Sequence, residues 1–158
     1  MLINGQKIFV PNYGAGVMNK VKDNKSYDIN KNYVSIFILI DSIDLYIPES
    51  KLSDYKIRPI ENKENLNKAL EIIKFTPQNL EKKWSKRYKE NNDKIKGGNL
   101  FEMCEVIRDL YYLKSKGTLP PGERKILNKA ENMVGSEISL AFDIKIEDAL
   151  IKIRKLGK

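Results

Sequence analysis

The hydrophobic pattern changes its period once, near Arg58-Pro59-Ile60, and that break constrains the fold more than any other feature. Before it, apolar residues come in short runs punctuated by Gly, Pro, Asn and Asp, the pattern of strands and turns. After it, they recur at spacings of three and four, the pattern of amphipathic helices. A run of strands followed by a run of helices predicts an α+β chain, with a β domain over residues 1–60 and a helical domain over residues 61–158.

Within the first part, Lys7-Ile-Phe-Val10 is a short strand stopped by Pro11, and Asn12-Tyr-Gly-Ala-Gly16 is a turn. Val17 to Val21 alternates weakly, and Asp23 to Ser26 is polar and turn-like. Asn32 to Ile40 is rich in β-branched and aromatic residues, as a half-buried or central strand would be. Leu45-Tyr-Ile47 pairs back after a turn at Asp41–Asp44. So many short strands in so little chain predict a small, strongly bent sheet or barrel.

In the second part, Leu66, Ala69, Leu70 and Ile73 mark a first helix. Thr76-Pro77 reads as the start of a second, with Thr as N-cap and Pro at the first helical position, running to Gly97-Gly98. Asn99 caps a third, with Met103, Val106, Ile107, Leu110 and Leu113 as its inner stripe and Gly117 beyond its end. Pro120-Pro121-Gly122 opens a fourth, with Ile126, Leu127, Ala130, Met133, Val134 and Ile138 inward. Ile146, Ala149, Leu150 and Ile153 make a short last helix.

The inventory of reactive groups is thin. Histidine is absent and Cys104 is the single cysteine, so neither an internal disulfide nor a histidine-based triad can be built. Acidic pairs such as Glu102/Glu105 and Glu147/Asp148 have no His or Cys beside them and read as solvated helix faces. The Pro11–Gly16 stretch lacks the GK[ST] ending and following helix of a nucleotide loop. These features argue against an enzyme, a metal site or a cofactor. The longest apolar run, Val34–Ile40, is strand-sized, far short of the ~20 residues of a membrane span. The opening residues do not have the pattern of a secretory signal, so a cytoplasmic location is expected.

Charge points to a polyanionic partner. The net charge is +8, and residues 61–158 carry 21 Lys/Arg against 15 Asp/Glu. From Lys82 to Lys96 there are seven Lys/Arg and two acids, around the only tryptophan, Trp84. On one helix this is a cationic strip able to reach successive phosphates, with an aromatic ring able to stack on a base or wedge into a distorted step. The same residues fit another arrangement. Leu80, Trp84, Tyr88 and Ile95 share a narrow sector, as a core stripe would, and lysines often do no more than keep a face solvated.

Several motifs resemble the CarD/CdnL family of bacterial RNA polymerase-binding transcription regulators. Gly5-Gln-Lys-Ile-Phe-Val-Pro-Asn-Tyr-Gly-Ala-Gly-Val17 resembles the family's opening strand and turn, Leu45-Tyr-Ile-Pro48 its second conserved strand, and Ile57-Arg-Pro-Ile60 its closing Leu-Arg segment. Trp84-Ser-Lys-Arg-Tyr-Lys89 resembles its Trp-x-x-Arg-x-Lys/Arg motif. Gly98 to Leu110, with Leu119-Pro-Pro-Gly-Glu123, resembles its Gly-Asp…Ala-Glu-Val-Val-Arg-Asp-Leu…Leu-Ser-x-x-Glu run. Order and spacing hold from about residue 3 to 140.

The resemblance implies a Tudor-like N-terminal domain, shared with the transcription-repair coupling factor, that docks on the polymerase β subunit. It also implies a helical domain that meets promoter DNA at the upstream edge of the transcription bubble and stabilises the open complex. By carry-over, Trp84 is the wedge at that junction, and Lys83, Lys86, Arg87 and Lys89 hold phosphates. Glu105, Arg108 and Asp109 would brace the bundle. The chain departs from the family where Tyr-Pro-His becomes Val10-Pro11-Asn12, and where Asn24 and Tyr46 stand at arginine positions of the polymerase-binding face. The polymerase contact is then weaker, or rests on Lys22, Lys25 and an exposed strand edge. The competing expectation is a protein–protein adaptor whose helical domain never touches DNA.

Overall fold

A computed structural model describes residues 4–22 and 32–157. Among these residues, five strands form one antiparallel sheet: β1 (Gln6–Val10), β2 (Gly14–Lys22), β3 (Asn32–Ile38), β4 (Ile43–Pro48) and β5 (Arg58–Pro59), in the order β4-β3-β2-β1-β5. A 3-10 helix, Glu49–Tyr55, links β4 to β5. Five α-helices follow: α1 (Lys63–Ile73), α2 (Trp84–Gly97), α3 (Leu100–Ser115), α4 (Pro121–Phe142) and α5 (Ile146–Leu156). The α+β class and the order of sheet then helices are as the sequence predicts. The period break near Arg58 coincides with β5, the last strand.

Strand alternation gives the sheet two different faces. Ile8, Val10, Met18, Val34, Ile36, Ile38 and Ile47 point to one side and form a core roofed by Leu52 of the 3-10 helix. Phe9 and Ala15, opposite each other in the β1–β2 register, point to the other side and join the helical core. Helix α4 packs on β2 there, so sheet and bundle share apolar surface rather than meeting through a linker.

Helix α4 is the spine of the bundle, and it carries three buried glutamates. Each is paired with an arginine from a different element. Glu137 takes Arg58 of β5, Glu131 takes Arg154 of α5, and Glu123 takes Arg87 of α2. A carboxylate inside a core is tolerated only with such partners. Glu131 also accepts the Tyr111 hydroxyl. Through these pairs α4 ties the sheet, α5 and α2 to one axis.

Local signals explain most helix ends. Asn62 and Asn99 accept from the amides of Asn65 and Glu102, capping α1 and α3. Pro121 opens α4. Helix α2 departs from expectation: it begins at Trp84, not Pro77, and residues 74–83 are irregular. Its end is as read. Gly98 closes it in the left-handed region at φ 74°. A Cβ at Gly98 would lie 3.1 Å from Pro11 and 3.3 Å from the Phe9 ring, so the end of α2 sits directly against the first strand.

Candidate functional site

Trp84 is the first residue of α2 and is 65% exposed. Its neighbours Lys82, Lys83, Lys86 and Lys89 are exposed too. Tyr88, one turn along, is 40% exposed, while Ile95 is buried at 2%. The shared sector of Leu80, Trp84, Tyr88 and Ile95 is therefore not one core stripe. Ile95 packs in the bundle, Leu80 precedes the helix and packs at the core's margin, and the two rings lie at the surface. Because α2 starts late, Trp84 stands at its tip instead of midway along it.

Arg87 requires a correction. As a phosphate contact it would need a free guanidinium, but the residue is only 7% exposed. Its Nε and Nη2 donate to the two carboxylate oxygens of Glu123 at 2.6 and 2.8 Å. Nη1 donates to the Glu81 carbonyl at 3.0 Å and reaches the Lys82 carbonyl at 3.5 Å. Arg87 is a structural residue beneath the cationic surface. The partner escaped sequence reading because Glu123 lies 36 residues away, in the first turn of α4.

The remaining cations are not equally free. Lys86 lies 3.4 Å from a Glu81 oxygen and 3.9 Å from one of Glu90. The Lys83 backbone amide and the nearby ammonium groups of Lys86 and Lys83 hold the Glu81 carboxyl below the usual carboxylate range, so it stays ionised beside them. The first turn of α4 adds exposed Arg124 and Lys125 to this side of the bundle, next to Gly122, whose Cβ position lies 3.4 Å from the Tyr88 ring. Of the residues expected to brace the bundle, Glu105 pairs across to Lys94 of α2, while Arg108 pairs within α3 with its neighbour Asp109 and ties no second element. Burial of the Asp109 carboxyl pushes it up, against the pull of Arg108.

On the sheet, among the described residues β4 pairs only with β3, which leaves its outer edge open there. Tyr46 is 64% exposed on β4, and Phe37 is 40% exposed on β3. Tyr46 pairs with Ser35, and Phe37 pairs with Asp44, so the two rings are diagonal neighbours, on the same face as Ala15 but toward the β4 edge, where both stay exposed. Of the other residues expected on the polymerase face, Asn24 and Lys25 lie outside the described residues, and Lys22 is described only as backbone at the end of β2. Cys104 is buried and its thiol is pushed up to about 12, chiefly by burial, which leaves it unreactive. Among the described residues no group of three or more acidic or thiol side chains could hold a metal, and no helix is long and apolar enough to cross a membrane.

Comparison with known proteins agrees with this layout. The family model for the CarD C-terminal domain matches residues 68–154, which covers all of α2, α3 and α4 and most of α1 and α5. A protein of Bacillus subtilis (strain 168) named "Putative transcription factor YdeB" is 31% identical over 136 residues, 86% of this chain and 89% of that protein. That match is longer than the stretch covered by the family model, so it extends beyond the helices into the strand region. The chain belongs to the CarD family and is a transcription factor of the CarD type.

Proposed function

We propose that this transcription factor binds the RNA polymerase β subunit through its sheet and the upstream edge of the promoter bubble through α2, and thereby stabilises the open complex. The observation that carries the reading is Trp84: a large ring, 65% exposed at a helix tip, among lysines. A solvent-exposed Trp has no packing role of comparable size, and at a fork it can stack on an unpaired base. Lys82, Lys83, Lys86 and Lys89 supply phosphate contacts that orient the helix without reading sequence.

The energetics are modest and sufficient. A ring that binds only the melted fork favours that state by its differential affinity. A tenfold shift in open-complex population needs about 1.4 kcal/mol, and one stacked aromatic is worth roughly 1–3 kcal/mol. The sheet supplies local concentration: the open edge of β4 suits strand addition, with Tyr46 and Phe37 offering apolar area beside it. The departure from arginine at Tyr46 makes this contact more apolar than in the relatives the sequence resembles.

The test uses the full chain. It should retain the polymerase β subunit in a pull-down, and Tyr46→Ala should weaken that retention. Binding to forked DNA should be salt-dependent. A chain that retains β but shows no salt-dependent binding to forked DNA is the adaptor instead.

A further inference from the structure

Something other than local sequence decides where α2 begins. Thr76-Pro77 offers a conventional start, yet the helix starts seven residues later, and its N-cap Lys83 makes no side-chain capping bond. In a helix running back through residue 81, the carbonyls of Glu81 and Lys82 would accept from the amides of Ser85 and Lys86. The Arg87 guanidinium competes for them instead, donating to the Glu81 carbonyl at 3.0 Å and reaching the Lys82 carbonyl at 3.5 Å. The Lys83 amide turns away as well and donates to the Glu81 carboxylate at 3.1 Å.

Arg87 can do this because its other nitrogens are anchored. Glu123 is 1% exposed and accepts two charge-assisted bonds from it. Glu123 also sits in the first turn of α4, where the helix dipole favours a carboxylate. The neighbouring residues repeat the alignment, since Tyr88 lies over Gly122. One guanidinium thus links the spine of the bundle to the backbone immediately before Trp84.

We propose that Arg87 and Glu123 are positioning residues for Trp84: their ion pair sets the start of α2 and so holds the ring's backbone at the helix tip. The proposal rests on the reading of Trp84 as the ring that enters the fork. Its physical sense is preorganisation. A ring on a fixed base loses less freedom on stacking than one on a frayed segment. Without the clamp, the helix is free to grow back toward Pro77, which would move Trp84 from the tip into the second or third turn.

The experiment exploits the single tryptophan, whose fluorescence reports on this position alone. Replacing the pair together, Arg87→Met with Glu123→Leu, keeps apolar volume without stranding a buried charge, so the full chain should fold. In the free protein, Trp84 anisotropy should fall or its acrylamide quenching change, and far-UV circular dichroism should show helix gained. On polymerase–promoter complexes, lifetime should drop by roughly tenfold, the loss expected when a stacked ring is misplaced. A folded double variant with wild-type anisotropy, quenching and helix content overturns the proposal. If the double variant does not fold, Arg87→Lys gives the same decision, because an ammonium paired with Glu123 cannot also span to the Glu81 carbonyl. A folded Arg87→Lys chain with wild-type fluorescence overturns it equally. Altered Trp84 fluorescence with unchanged complex lifetime upholds the positioning role and counts against the fork reading instead.

Discussion

Arg58 and Glu137 meet as a two-pronged ion pair, Nη1 to Oε2 at 2.8 Å and Nη2 to Oε1 at 2.9 Å, across the seam between sheet and bundle. Glu137 is fully buried, and it also accepts the Glu61 amide at 2.7 Å. Arg58 donates further to the Gly98 carbonyl and lies 4.4 Å from the centre of the Phe9 ring. The last strand, the first strand and the end of α2 therefore converge on one guanidinium.

Arg58→Ala should accordingly destabilise the whole chain, by about 3–5 kcal/mol, because it strands a buried carboxylate with a single amide donor. Urea unfolding of the variant is the measurement. A midpoint unchanged from wild type would mean that Glu137 finds another partner or a proton. Removing both charges, Arg58→Met with Glu137→Leu, should recover a good part of the loss.

Elements were legible in the sequence wherever their ends are set locally. Asn62, Asn99, Pro121 and Gly98 act through bonds or backbone angles within a few residues, so α1, α3, α4 and the end of α2 follow from the chain itself. The start of α2 was not legible because a residue in another helix sets it. The same holds for Arg87, which looks like one more cation in a strip until Glu123 is brought beside it. The exposure of Trp84 follows from that late start: spacing alone left it both as a core residue and as a surface ring. The 3-10 helix at Glu49–Tyr55 was missed for a different reason, since it buries no residue and shows no apolar period.

Alkaline stability should depend on Tyr111. Burial, and then its bond to Glu131, push this phenol well above its ordinary 10.0. The unfolded chain ionises the phenol near that ordinary value while the folded chain keeps the proton. The unfolded state then binds fewer protons, and stability falls as pH rises above it. The contribution is fully present below that value. Tyr111→Phe should cost roughly 1–3 kcal/mol at neutral pH for the lost bond to a charged acceptor, and should flatten the alkaline decline. Urea unfolding at neutral and alkaline pH checks both; an equally steep decline in the variant would assign the effect to other groups.

Glu81 should act as a brake on DNA binding. It lies beside Lys86 and stays ionised, so a phosphate must compete with it for that ammonium. Glu81→Gln should tighten binding to forked DNA and steepen its salt dependence by up to about one counterion. The triple change Lys83→Ala, Lys86→Ala and Lys89→Ala should do the opposite, weakening binding alike on all sequences. A folded triple variant with a wild-type salt slope would leave these lysines as a solvated face.

Trp84→Ala separates packing from function. Had the ring been buried, its truncation would cost ~3–5 kcal/mol and melt the helical domain. At 65% exposure most of that cost is absent, and the expected loss is within about 1 kcal/mol. The backbone at this position is held by Arg87, whose bonds do not involve the indole. The variant should therefore unfold near the wild-type midpoint and still retain the polymerase β subunit. Open complexes should nonetheless decay about tenfold faster, since a contact made only with the melted fork is lost from that state alone. Trp84→Phe should recover part of the lifetime, because a smaller ring still stacks. Thermal unfolding and complex decay measured on the same preparations decide the matter. A stable variant with wild-type decay would remove Trp84 from the fork, and a variant that melts early would mean that the ring packs more tightly than its exposure indicates.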